Sequence, residues 1–147
     1  MIWILIIGII VILDQVVKYM VVQNLAIGAS ITVIDKFFSI YHTVNTGAAW
    51  SIFMGQRVLF IIITLIACVV IAYLLIKSKD KLLKLALSLI FAGAVGNLID
   101  RIAKGSVTDF LRFDFGSYMF PIFNVADMSV VIGSALLMYY MFFIYKD

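Results

Sequence analysis

Hydrophobic residues dominate four stretches of the chain, at 2–22, 58–76, 82–99 and 123–145. Each is close to the roughly 20 residues that a helix needs to cross about 30 Å of hydrocarbon. Inside lipid a backbone must satisfy its own hydrogen bonds, which an isolated helix does. The pattern predicts an all-α membrane protein with four transmembrane helices, forming one integral membrane domain over 1–147. The connection Lys77 to Lys81 has room only for a turn, so the second and third spans form an antiparallel hairpin.

The other two connections, 23–57 and 101–120, face the opposite side of the bilayer. The first contains Ile31-Thr-Val-Ile34 and Phe38-Ser-Ile-Tyr-His-Thr-Val44, rich in β-branched and aromatic residues. It predicts a small β-sheet on the membrane surface, a cradle within the first outer loop. The second connection ends at Pro121, which suits the first turn of the fourth span.

Composition agrees with this reading. Of 147 residues, 65% are hydrophobic and 13% charged, and the mean hydropathy is +1.19. A soluble domain carries about a quarter charged residues. The apolar start is not a cleavable leader on this reading: it lacks a basic leading region and a small-x-small site, and it holds Asp14 and Lys18. The net charge of +3 is small and scattered, which gives no basis for nucleic-acid binding. One cysteine, Cys68, sits among apolar residues and reads as packing. One histidine, His42, leaves no His/Cys set for zinc, and no cofactor is expected.

Lys77, Lys79, Lys81 and Lys84 crowd the short turn, and Lys146 stands at the C-terminus. The other side carries Lys36, Arg57, Arg101, Lys104 and Arg112, equal in number but spread out. By density, the short turn and both termini are cytoplasmic.

Polar residues within spans need a partner or a task. Asp14 and Lys18 are four apart on one helical face, in the favourable acid-first order. They read as a structural pair facing the bundle interior or as ligand contacts. In Gly93-Ala-Val-Gly96-Asn97-Leu-Ile-Asp100-Arg101, the glycines permit close helix approach. Gly93, Asn97, Asp100 and Arg101 share one side of that helix. Asn97 and Arg101 read as functional or as a packed helix end, and Asp100 as structural. Asn124 and Asp127, three apart, either cap the fourth helix or serve chemistry. Asp109, in Val107-Thr-Asp109-Phe110, falls at a similar depth. The turn Asn45-Thr-Gly47-Ala-Ala-Trp50-Ser51 leads back to the membrane, with Trp50 in the aromatic belt. Its Asn45 reads equally as a turn residue or as facing substrate.

Two carboxylates at one depth can divide the roles of acid and base and share a proton. Such a pair can activate water against a peptide carbonyl with no nucleophilic side chain or metal. The alternative class is a small proton- or ion-coupled transporter or channel subunit, with the membrane aspartates carrying protons or ions. The clustering of acids on one side and the lack of internal repeats count against it.

The ordered blocks Asp14-Gln-Val-Val-Lys18, Asn45-Thr-Gly-Ala-Ala-Trp-Ser51, Gly93-Ala-Val-Gly-Asn-Leu-Ile-Asp-Arg101, Val107-Thr-Asp-Phe110 and Phe123-Asn-Val-Ala-Asp127 resemble those of the lipoprotein signal peptidases (signal peptidase II), over essentially the whole chain. Trp50 stands where phenylalanine is more usual. The resemblance implies an aspartyl endopeptidase of the bacterial inner membrane. Such enzymes remove the signal peptide of diacylglyceryl-modified prolipoproteins, cutting just before the lipidated cysteine. It puts the catalytic pair on Asp109 and Asp127. Asp14, Lys18, Asn45, Gly47, Asn97, Asp100, Arg101 and Asn124 become the residues that shape the site or contact substrate. It also implies membrane lipids as surroundings, inhibition by globomycin-type cyclic peptides, a monomer, and an active site near the outer leaflet.

Overall fold

The structure is a computed structural model, and it describes residues 1–47 and 55–145. Trp50, Ser51 and Lys146 lie outside the described residues. Four helices run over Ile2–Asn24 (α1), Arg57–Lys77 (α2), Lys81–Lys104 (α3) and Val125–Phe143 (α4). Each is long and apolar enough to cross a membrane. The 23 residues of α1 extend about 35 Å at 1.5 Å per residue.

The four helices follow the expected spans, with two shifts at their ends. α3 continues through Arg101 to Lys104, so the Asp100-Arg101 pair rides on helix and not in a loop. It stops at Gly105, whose φ of 82° is the left-handed conformation that favours glycine. α4 starts only at Val125, and Pro121 precedes it by four residues, outside the first turn. Phe123 is instead bonded to β3 (Val107–Phe115): its carbonyl accepts from the backbone N–H groups of Phe110 (3.0 Å) and Leu111 (2.8 Å). This pairing holds the proline segment extended and delays the helix.

The sheet is larger than the first loop alone predicts. β1 (Ser30–Ile34) and β2 (Phe38–Asn45) come from that loop, and β3 and β4 (Tyr118–Met119) from the second. The order is β1-β2-β3-β4, antiparallel throughout. β2 pairs with β3 so that Thr43 faces Asp109, Val44 faces Thr108 and Asn45 faces Val107. His42 is buried here, its ring nitrogen 2.8 Å from the Leu25 carbonyl at the end of α1. It anchors the sheet to the bundle, a structural use of the single histidine.

α3 lies at the centre and packs against the other three helices. The contact with α4 depends on missing side chains. A Cβ on Gly93 would collide with the Ala126 carbonyl oxygen and come within 2.7 Å of Val130 Cγ2. A Cβ on Gly133 would lie 2.8 Å from the Ala86 carbonyl. Small residues let helix backbones approach in this way within lipid. Gly93→Ala is therefore expected to destabilise the protein by about 1–3 kcal/mol, read as a lower melting temperature in detergent. Gly8→Ala, with no atom within 4 Å of the new Cβ, should be neutral or slightly stabilising. Equal melting of the two variants would rule out a tight α3–α4 seam.

Candidate active site

The polar residues of the spans converge at one end of the bundle, beginning with a fully buried ammonium. Lys18 of α1 is 0% exposed. Its Nζ donates to Asp14 Oδ2 at 2.8 Å, to Asp100 Oδ2 at 3.1 Å and to Asn97 Oδ1 at 3.0 Å. An ammonium has three donors, and all three are used. Asp14 accepts in addition from the Ala126 backbone N–H (2.9 Å) and from Gln15 Nε2 (3.1 Å). Asp100 also accepts from Lys104 Nζ (3.1 Å) and the Thr108 N–H (3.2 Å). Buried charge is tolerable only with this degree of pairing. The set ties α1, α3, α4 and β3 together. None of Asp14, Lys18 and Asp100 bonds either carboxylate at the rim above.

Asn97 connects this base to those carboxylates. Its Oδ1 accepts from Lys18 and, at 3.2 Å, from Asn124 Nδ2. That fixes the amide so that Nδ2 donates to Asp127 Oδ1 at 2.8 Å. The reverse orientation would set an NH₂ group against the ammonium.

Asn124 and Asp127 form a capping box on α4. The Asp127 backbone N–H donates to Asn124 Oδ1 (2.9 Å), and the Asn124 N–H donates to Asp127 Oδ2 (3.1 Å). The cap has a second task. Asn124 Nδ2 donates to Asp109 Oδ1 at 2.6 Å. One buried asparagine thus holds both acids, one on a strand and one on a helix.

Asp109 is 3% exposed. Its other oxygen accepts from Asn45 Nδ2 at 3.1 Å. Asn45 is itself oriented, because its Oδ1 accepts from the Gly47 N–H (2.9 Å) in an Asx-turn. Arg101 Nη2 donates to the Gly47 carbonyl at 3.1 Å, clamping that turn to α3. Burial, and after it the charge of Asp127, push the Asp109 carboxyl up to about 7, against the hydrogen bonds from Asn45 and Asn124 and the charge of Lys18.

All ten residues singled out from the sequence therefore enter one connected site, in two tiers. Asp109, Asp127, Asn45, Asn97 and Asn124 make the rim, and Gly47 with Arg101 holds its edge. Asp14, Lys18 and Asp100 support it from below. Four partners escaped the sequence reading. Gln15, bonded to Asp14 and to the Gly96 carbonyl (3.1 Å), carried a usable signal as an amide inside a span. Arg57 and Lys104 counted only as loop charges. Arg57 donates to the Arg101 and Ile102 carbonyls, each at 2.8 Å, and so caps α3. The Phe60 ring lies 5.2 Å from the Arg101 guanidinium. No local pattern marks these contacts.

Alternation along β3 sets Asp109, Leu111 and Phe113 on one sheet face. Leu111 faces Ile40 and Phe113 faces Phe38 on β2. All four apolar side chains are only partly buried, so an apolar shelf leads up to Asp109.

Similarity to known proteins agrees with this geometry. Residues 6–143 match the family described as Signal peptidase (SPase) II. The chain is 49% identical over 127 residues to a lipoprotein signal peptidase of Bacillus pumilus, covering 85% of this chain and 82% of that protein. It is 47% identical over 131 residues to the one from Enterococcus faecalis, covering 88% and 80%. A solved chain described as a bacterial membrane enzyme structure, obtained by the in meso method at 2.3 Å resolution, superposes with a TM-score of 0.89. It is 40% identical, and the match covers 99% of this chain and 92% of that one. A family match over nearly all of the chain, together with the four spans and the shared fold, establishes that this protein belongs to the signal peptidase II family, the multi-pass membrane peptidases of bacteria.

Proposed function

We propose that the protein is an aspartyl endopeptidase that cleaves the signal peptide from diacylglyceryl-modified prolipoproteins just before the lipidated cysteine, with Asp109 and Asp127 as its catalytic pair. The observation that carries this reading is the Asn124 bridge, which fixes two carboxylates from separate segments at one site. Asp109, buried and beside a second acid, holds the shared proton. Asp127 serves as the base: it accepts N–H bonds from Asn97 and Asn124 at a helix N-terminus, and these offset part of the cost of burying its charge. Asp127 takes a proton from a water as that water attacks the scissile carbonyl. Asp109 donates its proton to the carbonyl oxygen; as the C–N bond breaks, Asp127 passes the water-derived proton to the leaving amine and Asp109 regains a proton from the intermediate's hydroxyl. A signal peptide is itself an apolar segment and can reach the site from lipid, with its extended end along the shelf of Leu111, Phe113, Ile40 and Phe38. Globomycin-type cyclic peptides would compete for the same shelf. The ion-transport alternative finds less support, since no charged side chain lies between Lys84 and Asn97 on α3 or beyond Asp127 on α4 within the described residues.

The test is cleavage of a prolipoprotein with and without its diacylglyceryl group, followed against pH. Only the lipidated form should be cut efficiently. Because Asp109 must be protonated, kcat/KM should fall as pH rises through about 7; loss of the Asp127 carboxylate should lower it on the acid side. Both limbs belong to the pair. Asn45→Ala removes a hydrogen bond that favours ionised Asp109, so its alkaline limb should move to higher pH. A flat profile between pH 5 and 9 would remove the shared-proton mechanism.

In the membrane, the lysine-rich turn faces the cytoplasm and the sheet faces outward. In a Cys68→Ala background, a cysteine at Thr32 should react with an impermeant thiol reagent added outside intact cells, and one at Ser78 should not. Labelling at position 78 from outside would invert the orientation.

A further inference from the structure

About 20 Å along α3 from Asp100, at 1.5 Å per residue, lies a second feature that the reaction does not use. α2 and α4 both lean on α3 and leave a furrow between them at the end carrying the lysine-rich turn. Leu83 and Leu87 of α3 form its floor, Leu74 of α2 and Leu137 and Met141 of α4 its walls, and Lys77 stands at its mouth. Its volume is about 350 Å³. A dry apolar cavity of about 150 Å³ is enough to hold benzene, so a stretch of hydrocarbon chain fits. No residue of α2 is buried, and the furrow is where its packing is incomplete.

Charge at the mouth is one-sided. Lys77, Lys79, Lys81 and Lys84 fall within eight residues. The one acid among them, Asp80, is engaged as the N-cap of α3, its Oδ1 accepting from the Leu83 N–H at 2.9 Å. Among the described residues none of these four lysines forms an ion pair. We propose that the furrow binds one anionic phospholipid, with an acyl chain between α2 and α4 and the phosphate at Lys77. The chain completes the packing of α2, and the headgroup offsets positive charge that the protein leaves unpaired. Basic pockets between helices at a membrane face recognise anionic headgroups in this way.

Native mass spectrometry of the full chain in detergent, with phosphatidylglycerol and phosphatidylcholine of identical acyl chains at equal concentration, reads the site. One phosphatidylglycerol should be retained, at least tenfold in preference to phosphatidylcholine. Lys77→Gln should lower its retention about fivefold, and Lys79→Gln, outside the furrow, should leave it unchanged. Leu137→Trp fills the furrow and should abolish retention; Leu74→Trp fills it from the α2 side and gives the same reading if the first variant does not fold. Four results would overturn the proposal: equal retention of the two lipids, equal loss in Lys77→Gln and Lys79→Gln as expected of diffuse attraction to the turn, retention in both tryptophan variants, or a second copy of the chain in place of lipid.

Discussion

Asp109→Asn and Asp127→Asn should each lower turnover of a lipidated prolipoprotein by on the order of a thousandfold or more, about 4 kcal/mol of transition-state stabilisation. The double variant should be little worse than either single one, because the two acids act on one water and one proton. Neither change should unfold the protein. In Asp127→Asn the new amide can still accept from the Asn124 N–H, but its NH₂ then meets Asn97 Nδ2, whose orientation Lys18 fixes. The cap is kept, and the loss of the Asn97 bond costs about 1 kcal/mol. In Asp109→Asn the amide oxygen can still accept from Asn124, and the new NH₂ meets Asn45, whose Asx-turn to Gly47 keeps it oriented, so one hydrogen bond is lost. Activity and stability thus separate by several kcal/mol, and measuring both on purified protein checks the assignment. Cleavage above a few per cent of wild type in either well-folded single variant would end the aspartyl reading.

Lys18→Met should have the largest effect on stability. The change leaves Asp14 and Asp100 buried with only Lys104 to offset them. Breaking a buried ion set by removing one partner costs about 3–5 kcal/mol. It also frees the Asn97 amide, so activity should fall with stability. Removing a charge of the opposite sign should restore part of the loss: Asp14→Asn combined with Lys18→Met is expected to melt above Lys18→Met alone, since asparagine can still accept from the Ala126 N–H. Thermal unfolding of the two single variants and the double one gives the coupling as a double-mutant cycle. Additive effects would mean that the two charges do not act as a pair.

Much of this architecture is legible in the chain. Four apolar stretches of near-bilayer length leave helices as the natural solution, because unpaired backbone groups are too costly in lipid. The same cost makes each polar residue in a span conspicuous, so Asp14, Lys18, Asn97 and Asp127 stand out before any fold is known. The i, i+4 spacing gives the Asp14–Lys18 pair, and Asn124 with Asp127 carries the capping pattern. What the sequence leaves open is set by contacts distant along the chain. That Asp100 also shares Lys18, that Arg101 grips Gly47 and that Arg57 caps α3 follow from how the helices lie together. The second outer connection looks like a loop with two aspartates, yet its segment Val107–Phe115 becomes a central strand. A strand acquires its hydrogen bonds only when a neighbour is present, and that neighbour, β2, lies over 60 residues away. The pairing of Thr43 with Asp109 and the reach of Asn124 to Asp109 across 15 residues bring two isolated carboxyls to one place. Local chemistry therefore determined which residues were costly enough to matter. Only the tertiary structure decided which of them meet, because burial and mutual repulsion arise when separate segments come together.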